Sequence, residues 1–175
     1  MKAILMSIKP EECEKIFSGE KTVEVRKTAP KLNPPFKVYV YQTKNRRGNK
    51  VINEALNAVY GGGKVVGEFV CDRVEENIPD YNPAYERFFY NSFECGADCL
   101  TSDEIAAYGK SDSLRGLHIA KPKRYDKPKE LGEFRKPCEY ASEHYACYPD
   151  NCARCPWNTV TRPPQSWCYV EEIEE

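Results

Sequence analysis

A segment near the amino terminus reads Gly-Glu-Lys-Thr-Val-Glu-Val-Arg over residues 19–26, and four of its residues are charged. If this segment continues as a strand, Glu24 and Arg26 leave the same face, about 6.5–7 Å apart at the backbone. Lys21 then stands at the strand entry. Glu24 can accept from the amino group of a base, as acidic side chains do from cytosine. Arg26 and Lys21 can hold a phosphate or a carbonyl.

Two tyrosines could extend this group of charges into a binding site, but the charges also have a simpler explanation. Tyr39 and Tyr41 could offer stacking faces to bases, as aromatic side chains do in single-strand binding sites. The charges could equally form an ordinary Glu–Arg pair on a solvated strand, which contributes about 0–1 kcal/mol. Residue types alone leave both interpretations open.

Two basic stretches pose a similar choice. Either could track a phosphate backbone, or the first could be an edge strand that its lysines protect from aggregation and the second an exposed loop. The first stretch contains Lys121, Lys123, Arg124, Lys127 and Lys129, and the second contains Arg46, Arg47 and Lys50.

Four cysteines lie between residues 138 and 155, and the last two of these four form a Cys-x-x-Cys pair. Four thiolates at about 2.3 Å would build a closed structural zinc site, which the pattern favours. His144 could replace Cys138 or Cys147 as a ligand. A redox pair and reduced cysteines in a loosely packed segment are the alternatives. The predicted zinc ligands are Cys138, Cys147, Cys152 and Cys155.

Composition limits the class of protein. The net charge of -1 argues against coating nucleic acid by charge alone. Charge is unevenly spread, however: residues 1–50 carry 12 basic and 5 acidic residues, which permits a local basic face. No secretory signal and no apolar run of about 20 residues is present, so the sequence predicts a cytoplasmic protein that binds no membrane.

The elements that must position these residues alternate short helices with strands. Residues 3–8 predict a strand, Pro10 opens a helix that ends at Gly19, and residues 22–26 return as a strand. Thr101 and Glu104 predict a capping box. The sequence therefore predicts an α+β fold, a small mixed β-barrel with short flanking helices. It forms one domain over residues 1–175, with a Cys-rich insertion at 138–155 before the last strand.

The order of these segments resembles ASCH domains, relatives of the PUA RNA-binding fold. The resemblance rests on Gly-x-Lys-Thr-x-Glu-x-Arg at residues 19–26, on the strand at 63–69, and on the stretch at 119–131. The ending Arg-Pro-Pro-Gln-Ser-Trp-Cys-Tyr-Val at 162–170 is similar to phage-associated and bacterial ASCH proteins. This resemblance implies a PUA-like barrel with a cleft beside the first helix that binds RNA, a nucleotide or a nucleoside.

The resemblance also implies two hydrolase activities. One branch of the family removes an acyl group from acetylated cytidine, and another degrades single-stranded RNA with a metal such as Mg²⁺ or Mn²⁺. The amidohydrolase branch has a Lys and a Thr three apart. Lys21 matches the Lys, Glu24 stands at the Thr position, and Glu104 is the candidate for a later acid. A carboxylate does not replace a hydroxyl nucleophile, which speaks against that activity here.

The preferred hypothesis is an RNA- or nucleotide-binding module. The alternatives are a hydrolase and a zinc-stabilised protein-interaction module. If the first is right, Glu24→Ala and Arg26→Ala each abolish binding, and the sequence predicts little change in melting temperature. The predicted ligand-binding residues are Lys21, Thr22, Glu24, Arg26, Tyr39, Tyr41, Lys123 and Arg124, and the predicted catalytic residues of a hydrolase are Lys21, Glu24 and Glu104.

Overall fold

The computed structural model describes residues 1–45, 50–90, 93, 100–138 and 158–173. The strands are β1 (Lys2–Ile8), β2 (Val23–Arg26), β3 (Phe36–Gln42), β4 (Val65–Asn77), β5 (Asp80–Asn82), β6 (Arg87–Phe89), β7 (Leu114–Lys129) and β8 (Trp167–Glu171). The α-helices are α1 (Pro10–Ser18), α2 (Lys50–Tyr60) and α3 (Ser102–Gly109), and a 3₁₀ turn spans Leu131–Glu133.

Six of the strands form one sheet with the order β2-β7-β4-β3-β1-β8, and β5 pairs with β6 separately. Strand β1 runs parallel to β3 and antiparallel to β8, while β2 runs antiparallel to β7. This mixed architecture confirms the predicted α+β class. The predicted small mixed β-barrel needs one correction: closing a barrel requires the first and last strands to pair, and the described sheet is open from β2 to β8.

The backbone divides into two compact units. The first contains Met1–Pro10, Val38–Gly67 and Tyr125–Glu175, and the second contains Glu11–Lys37 and Glu68–Arg124. In the first unit, apolar side chains from β1, β3 and β8 form the core, as period-2 alternation requires of strands with a buried face. This core contains Ala3, Leu5, Tyr39, Tyr41, Val65, Phe134, Val160 and Val170.

The second unit has its own core, built around β2. Val23 and Val25 pack there with Phe93, Ile105 and Leu114. Helix α3 closes over this core, and its first turn is held by the predicted capping box, in which Thr101 Oγ1 accepts from the Glu104 N–H.

Strand β7 departs from the expected geometry at its middle. A proline inside a strand is expected at an edge or at a bulge, because proline cannot donate to a ladder, and Pro122 lies within β7. The strand lies between β2 and β4 in the sheet order, but β2 is opposite residues 115–118 only, so Pro122 lies beyond that pairing. Lys121, directly before the proline, has φ of 50°, so the regular strand conformation is interrupted there.

Candidate functional site

The end of helix α1 positions Lys21. Cys13 and Ile16 face the core, and Gly19 follows the last turn with φ of 81°, a left-handed conformation that glycine adopts without a Cβ penalty. The Gly19 N–H donates to the Ile16 carbonyl at 3.1 Å, and the Lys21 N–H donates to the Lys15 carbonyl at 3.0 Å. The chain is thereby turned back, and Lys21 lies beside the helix that precedes it.

Four charged side chains meet at this turn, and we call them the ion-pair cluster: Glu12, Lys21, Glu24 and Arg26. Lys21 Nζ lies 2.6 Å from Glu12 Oε2 and 3.0 Å from Glu24 Oε2. Arg26 Nη2 lies 2.8 Å from Glu24 Oε1. The structure therefore brings the three predicted residues together, with Glu24 between two cations, and adds Glu12 as a fourth member.

The ion-pair cluster is shielded from water. The side chains of Lys21 and Glu24 are 4% and 7% exposed, whereas Glu12 and Arg26 form the partly exposed rim. An exposed pair on a solvated strand, the alternative explanation of these charges, would not be this deeply buried. Buried charges are tolerated only when they are paired, so the members of the cluster depend on one another.

The protonation of Lys21 follows from its neighbours. Burial acts to lower the pKa of Lys21, but the charge of Glu24 and the hydrogen bond to Glu12 outweigh it and hold the pKa above 10.5. Burial likewise acts to raise the pKa of Glu12, and its contacts with Lys21 and Lys15 hold that pKa below 4.5 instead. Lys21 is therefore a cation at neutral pH, suited to holding an anion or a carbonyl rather than to removing a proton.

The ion-pair cluster does not fit a metal ion. Two cations lie within 3.0 Å of the Glu24 carboxylate, and a divalent metal would have to displace both. Elsewhere in the described ranges, no three His, Cys, Asp or Glu side chains are grouped so as to hold a metal. No metal-assisted step at Glu24 follows from this arrangement.

A hollow of about 410 Å³ lies in the same unit and begins at the residue after Lys21. Its walls are Thr22, Asp72, Arg73, His118 and Ile119. Residues directly opposite each other in an antiparallel pair share a face. His118 is opposite Val23, and Leu117 is opposite Glu24. The His118 and Glu24 side chains therefore leave opposite faces of the β2–β7 pair, whereas Thr22 and Ile119 alternate onto the same face as Glu24.

Both ring nitrogens of His118 are engaged, and their partners determine the tautomer. Arg73 Nη2 lies 3.1 Å from Nδ1, and Glu75 Oε2 lies 3.0 Å from Nε2. A guanidinium can only donate, so Nδ1 accepts and carries no proton. Nε2 then carries the hydrogen and donates to the Glu75 carboxylate. The imidazole of His118 is thus oriented from both sides, which fits a structural role for this mid-strand histidine.

The two tyrosines that were predicted to stack on bases lie in a hydrophobic core. Tyr39 and Tyr41 are core residues of the first unit: Tyr39 is 1% exposed, packs on Phe134 at 4.9 Å between ring centroids, and accepts from the Ile173 N–H. These buried rings offer no open face to a base, so the structure does not support their predicted stacking role. Sequence alternation cannot distinguish a tyrosine that lines a pocket from one that fills a core.

Glu104 is engaged at the start of α3. Its carboxylate accepts from the Thr101 N–H at 2.9 Å and from Thr101 Oγ1 at 2.8 Å. The backbone hydrogen bond, followed by that of the hydroxyl, lowers the pKa of Glu104. This placement explains Glu104 as a helix cap, while its predicted catalytic role stays a prediction.

The basic residues of β7 flank helix α1 within the second unit. Lys123 and Arg124 are exposed. Arg124 Nη2 pairs with Glu14 Oε1 at 2.7 Å, and the Arg124 guanidinium lies 4.8 Å from the centroid of the Phe17 ring. Arg124 is therefore held against the same helix that carries Glu12.

Most of the predicted zinc site lies outside the described residues. Cys147, Cys152 and Cys155 belong to that part of the chain, as do His144 and the basic residues Arg46 and Arg47. Cys138, which is described, is half-buried with a free thiol. The zinc site therefore stays a prediction.

Sequence reasoning missed Glu12, Asp72, Arg73 and Glu75 as members of these sites. From the sequence, Glu12 could be assigned only a favourable interaction with the helix dipole, because it lies in the first turn of α1. Its contact with Lys21, nine residues later, depends on the turn at Gly19. No sequence pattern marked the three β4 residues as members of a site, because only strand pairing places them near β7.

No protein-family model matches this sequence, and no curated protein is significantly similar to it. Solved structures do match. The crystal structure of ASCH from Zymomonas mobilis has a TM-score of 0.58 at 17% identity, covering 97% of this chain and 88% of that one. Two mutant proteins of the same ASCH give TM-scores of 0.56 and 0.57 at 18% and 17% identity. They cover 98% and 97% of this chain and 92% and 89% of theirs.

These matches extend over nearly the whole chain, so the protein has the fold of ASCH proteins, as the sequence predicted. The described helices include none long and apolar enough to cross a membrane.

Proposed function

We propose that this chain, with its ASCH fold, is an RNA- or nucleotide-binding module that recognises a nucleobase-like ligand through Lys21, Glu24 and Arg26. The observation that supports this function most is the burial of one carboxylate between two cations at the end of α1. Buried ion pairs contribute little net stability compared with apolar packing. A buried group of paired charges is therefore a candidate for binding rather than for holding the fold together.

The Glu24 carboxylate supplies the acceptor in this proposal. Its two oxygens have about four lone-pair sites, and one ion pair is made to each oxygen. The remaining acceptor capacity suits an amino group of a base. The cations beside it keep Glu24 oriented, and Arg26 at the rim presents a planar fork that matches a carbonyl or a phosphate.

A phosphate backbone would follow the exposed basic residues of β7. Lys123 is exposed, and Arg124 is oriented by Glu14 and the Phe17 ring, so its guanidinium is pre-ordered beside α1. Neutralising phosphates in this way makes affinity depend on salt. The net charge of -1 means that such attraction is local, so binding should need both this face and the ion-pair cluster.

The test is the affinity of labelled single-stranded RNA, measured by fluorescence anisotropy, for the wild-type protein and for Glu24→Gln. We expect Glu24→Gln to weaken binding about tenfold, the scale of one lost specific base contact, at a temperature where the variant is fully folded. The control is Asp112→Asn, which also removes one negative charge, from an exposed pair with Lys27.

If RNA binding depended on net charge alone, both variants would bind more tightly than the wild type. Equal affinity for all three proteins, or tighter binding by Glu24→Gln, would contradict the proposed function. The same RNA incubated with Mg²⁺ or Mn²⁺, and acetylcytidine in a separate reaction, should remain intact. Product formation that is lost in Glu24→Gln would instead assign a hydrolase.

A further inference from the structure

Two walls of the hollow lie on the face of the sheet from which the Glu24 side chain leaves. Thr22 stands two residues before Glu24, and Ile119 lies opposite Thr22, so the three side chains share one face. The Ile119 N–H donates to the Thr22 carbonyl at 2.8 Å, which extends the β2–β7 ladder to this pair. Both residues line the hollow, and its volume of about 410 Å³ lies in the range of small-molecule sites, about 300–1,000 Å³.

Strand β4 contributes Asp72 to the same face. The Arg73 side chain contacts His118, whose side chain leaves the face opposite to that of Glu24. Glu75, two residues after Arg73, contacts His118 as well. Because consecutive side chains of a strand alternate, Asp72 leaves the Glu24 face where it borders the hollow. Arg73 and His118 are engaged with each other on the other face and are not counted as ligand contacts.

The register of β4 against β7 places Asp72 beside Ile119. Glu76 forms an ion pair with Arg115. The contact that His118 makes with β4 lies three residues later on β7 and three residues earlier on β4. The two strands therefore run antiparallel at this point, and the same register sets Asp72 opposite Ile119.

Three neighbouring strands thus build a trough, which we call the Ile119 trough: Thr22, Ile119 and Asp72. Ile119 is its apolar, half-buried floor, with the exposed Thr22 and Asp72 on either side. Neighbouring strands are about 4.8 Å apart, so the two polar residues are about 9–10 Å apart at the backbone. The Thr22 hydroxyl can donate or accept, and the Asp72 carboxylate only accepts. Among the described residues, none donates to that carboxylate.

A ribose fits the Ile119 trough better than a phosphate does. The C–H groups of a sugar ring can lie against Ile119, while its hydroxyls point sideways and donate. A carboxylate is the acceptor that binds the ribose 2′-hydroxyl in dinucleotide sites. A phosphate in the same place would be repelled by the negative charge of Asp72.

The surroundings of the trough follow the chemical order of a nucleotide. On one side lies Glu24, the proposed acceptor for a base, about 6.5–7 Å from Thr22 at the backbone. On the other side β7 continues to Lys123 and Arg124, which are exposed and suit a phosphate. The sugar of a nucleotide joins its base to its phosphate, and the Ile119 trough lies between the groups that suit those two parts.

We infer that the Ile119 trough binds the ribose of the ligand and that the 2′-hydroxyl donates to Asp72, which selects ribonucleotides over deoxyribonucleotides. The 2′-hydroxyl is the group by which a protein distinguishes RNA from DNA. This inference rests on the proposed function, since it names the sugar of the ligand whose base is bound at Glu24.

The experiment compares three labelled single strands of one sequence by fluorescence anisotropy: RNA, DNA with deoxyuridine in place of thymidine, and 2′-fluoro RNA. The fluorine keeps the sugar pucker of RNA but cannot donate a hydrogen bond. The wild-type protein should bind RNA about tenfold more tightly than DNA, the scale of one hydrogen bond to a charged group. The 2′-fluoro strand should bind like DNA.

Asp72→Ala removes the acceptor, so the ratio of RNA to DNA affinity should fall to near one. The lost negative charge strengthens the binding of both strands alike, and the ratio cancels this effect. The matched control is Asp80→Ala, which removes the same charge from an exposed position on β5 of the same unit and should retain the wild-type ratio. Asp72 is exposed, so its variant should fold normally, and circular dichroism verifies this.

The outcomes separate this inference from the proposed function. Equal affinity of the wild type for RNA and DNA overturns the ribose site, even where RNA binding depends on Glu24. A 2′-fluoro strand that binds like RNA also overturns it, and this comparison needs no variant. The same holds for a ratio that Asp72→Ala leaves unchanged or that Asp80→Ala lowers equally. If neither RNA nor DNA binds, the proposed function itself fails, and the ribose site fails with it.

Discussion

Replacing Glu24 by glutamine should destabilise the protein, because the change leaves two cations beside a neutral amide. Glu24 is 7% exposed and lies 3.0 Å from Lys21 and 2.8 Å from Arg26. Removing one partner of a fully buried pair costs about 3–5 kcal/mol. Lys21 keeps Glu12, and Arg26 is partly exposed, so part of this cost is avoided. We expect a loss of about 2–4 kcal/mol in the free energy of unfolding.

This expectation replaces the prediction from sequence that the melting temperature would hardly change. For a chain of this length, the expected loss lowers the melting temperature by about 5–12 °C. The assay is urea unfolding followed by circular dichroism, with melting curves as a second measure. The double variant Lys21→Gln/Glu24→Gln should be more stable than the sum of the single changes predicts, by about 1 kcal/mol or more.

The surface pair Lys27–Asp112 provides the reference for an ordinary ion pair. Its side chains are 39% and 59% exposed and 2.8 Å apart, so Asp112→Asn should cost about 0–1 kcal/mol. If Glu24→Gln costs no more than Asp112→Asn, and the double variant is additive, the ion-pair cluster is not an interdependent buried group. The reasoning from burial would then be refuted.

Two further predictions concern Glu12 and the cysteines. The folded-state pKa of Glu12 lies below 4.5. The ion pairs of Glu12 therefore stabilise the fold above pH 4.5, and this stabilisation is lost as the pH falls through the folded-state pKa. Glu12→Gln should therefore flatten the fall in urea midpoint below pH 4.5, whereas Glu11→Gln, an exposed neighbour in the same turn, should not; equal curves for both would exclude the role of Glu12. For the zinc prediction, elemental analysis of protein purified without added metal should give about one zinc per chain. Cys138→Ser should lower that ratio and the melting temperature, and a ratio near zero in the wild type would remove the site.

The sequence was sufficient to predict those elements whose geometry depends only on residues a few positions apart. Pro10, the two glutamates after it and Gly19 specify α1 through dipole and end effects that act within a few residues. Thr101 and Glu104 specify the start of α3 in the same way, and the alternation at residues 22–26 places Glu24 and Arg26 on one face. The α+β class and the resemblance to ASCH domains follow from the order of such segments.

Only the tertiary structure decided what each of these side chains meets. Tyr39 and Tyr41 alternate like pocket residues but fill a core, and the strands stop short of a barrel in the described sheet. Glu12 reaches Lys21, and Arg73 reaches His118 across 45 residues of chain. The physical reason is range: propensity and capping act over a few residues, whereas burial, ion pairing and the tautomer of a histidine depend on groups that strand pairing brings together from distant parts of the chain.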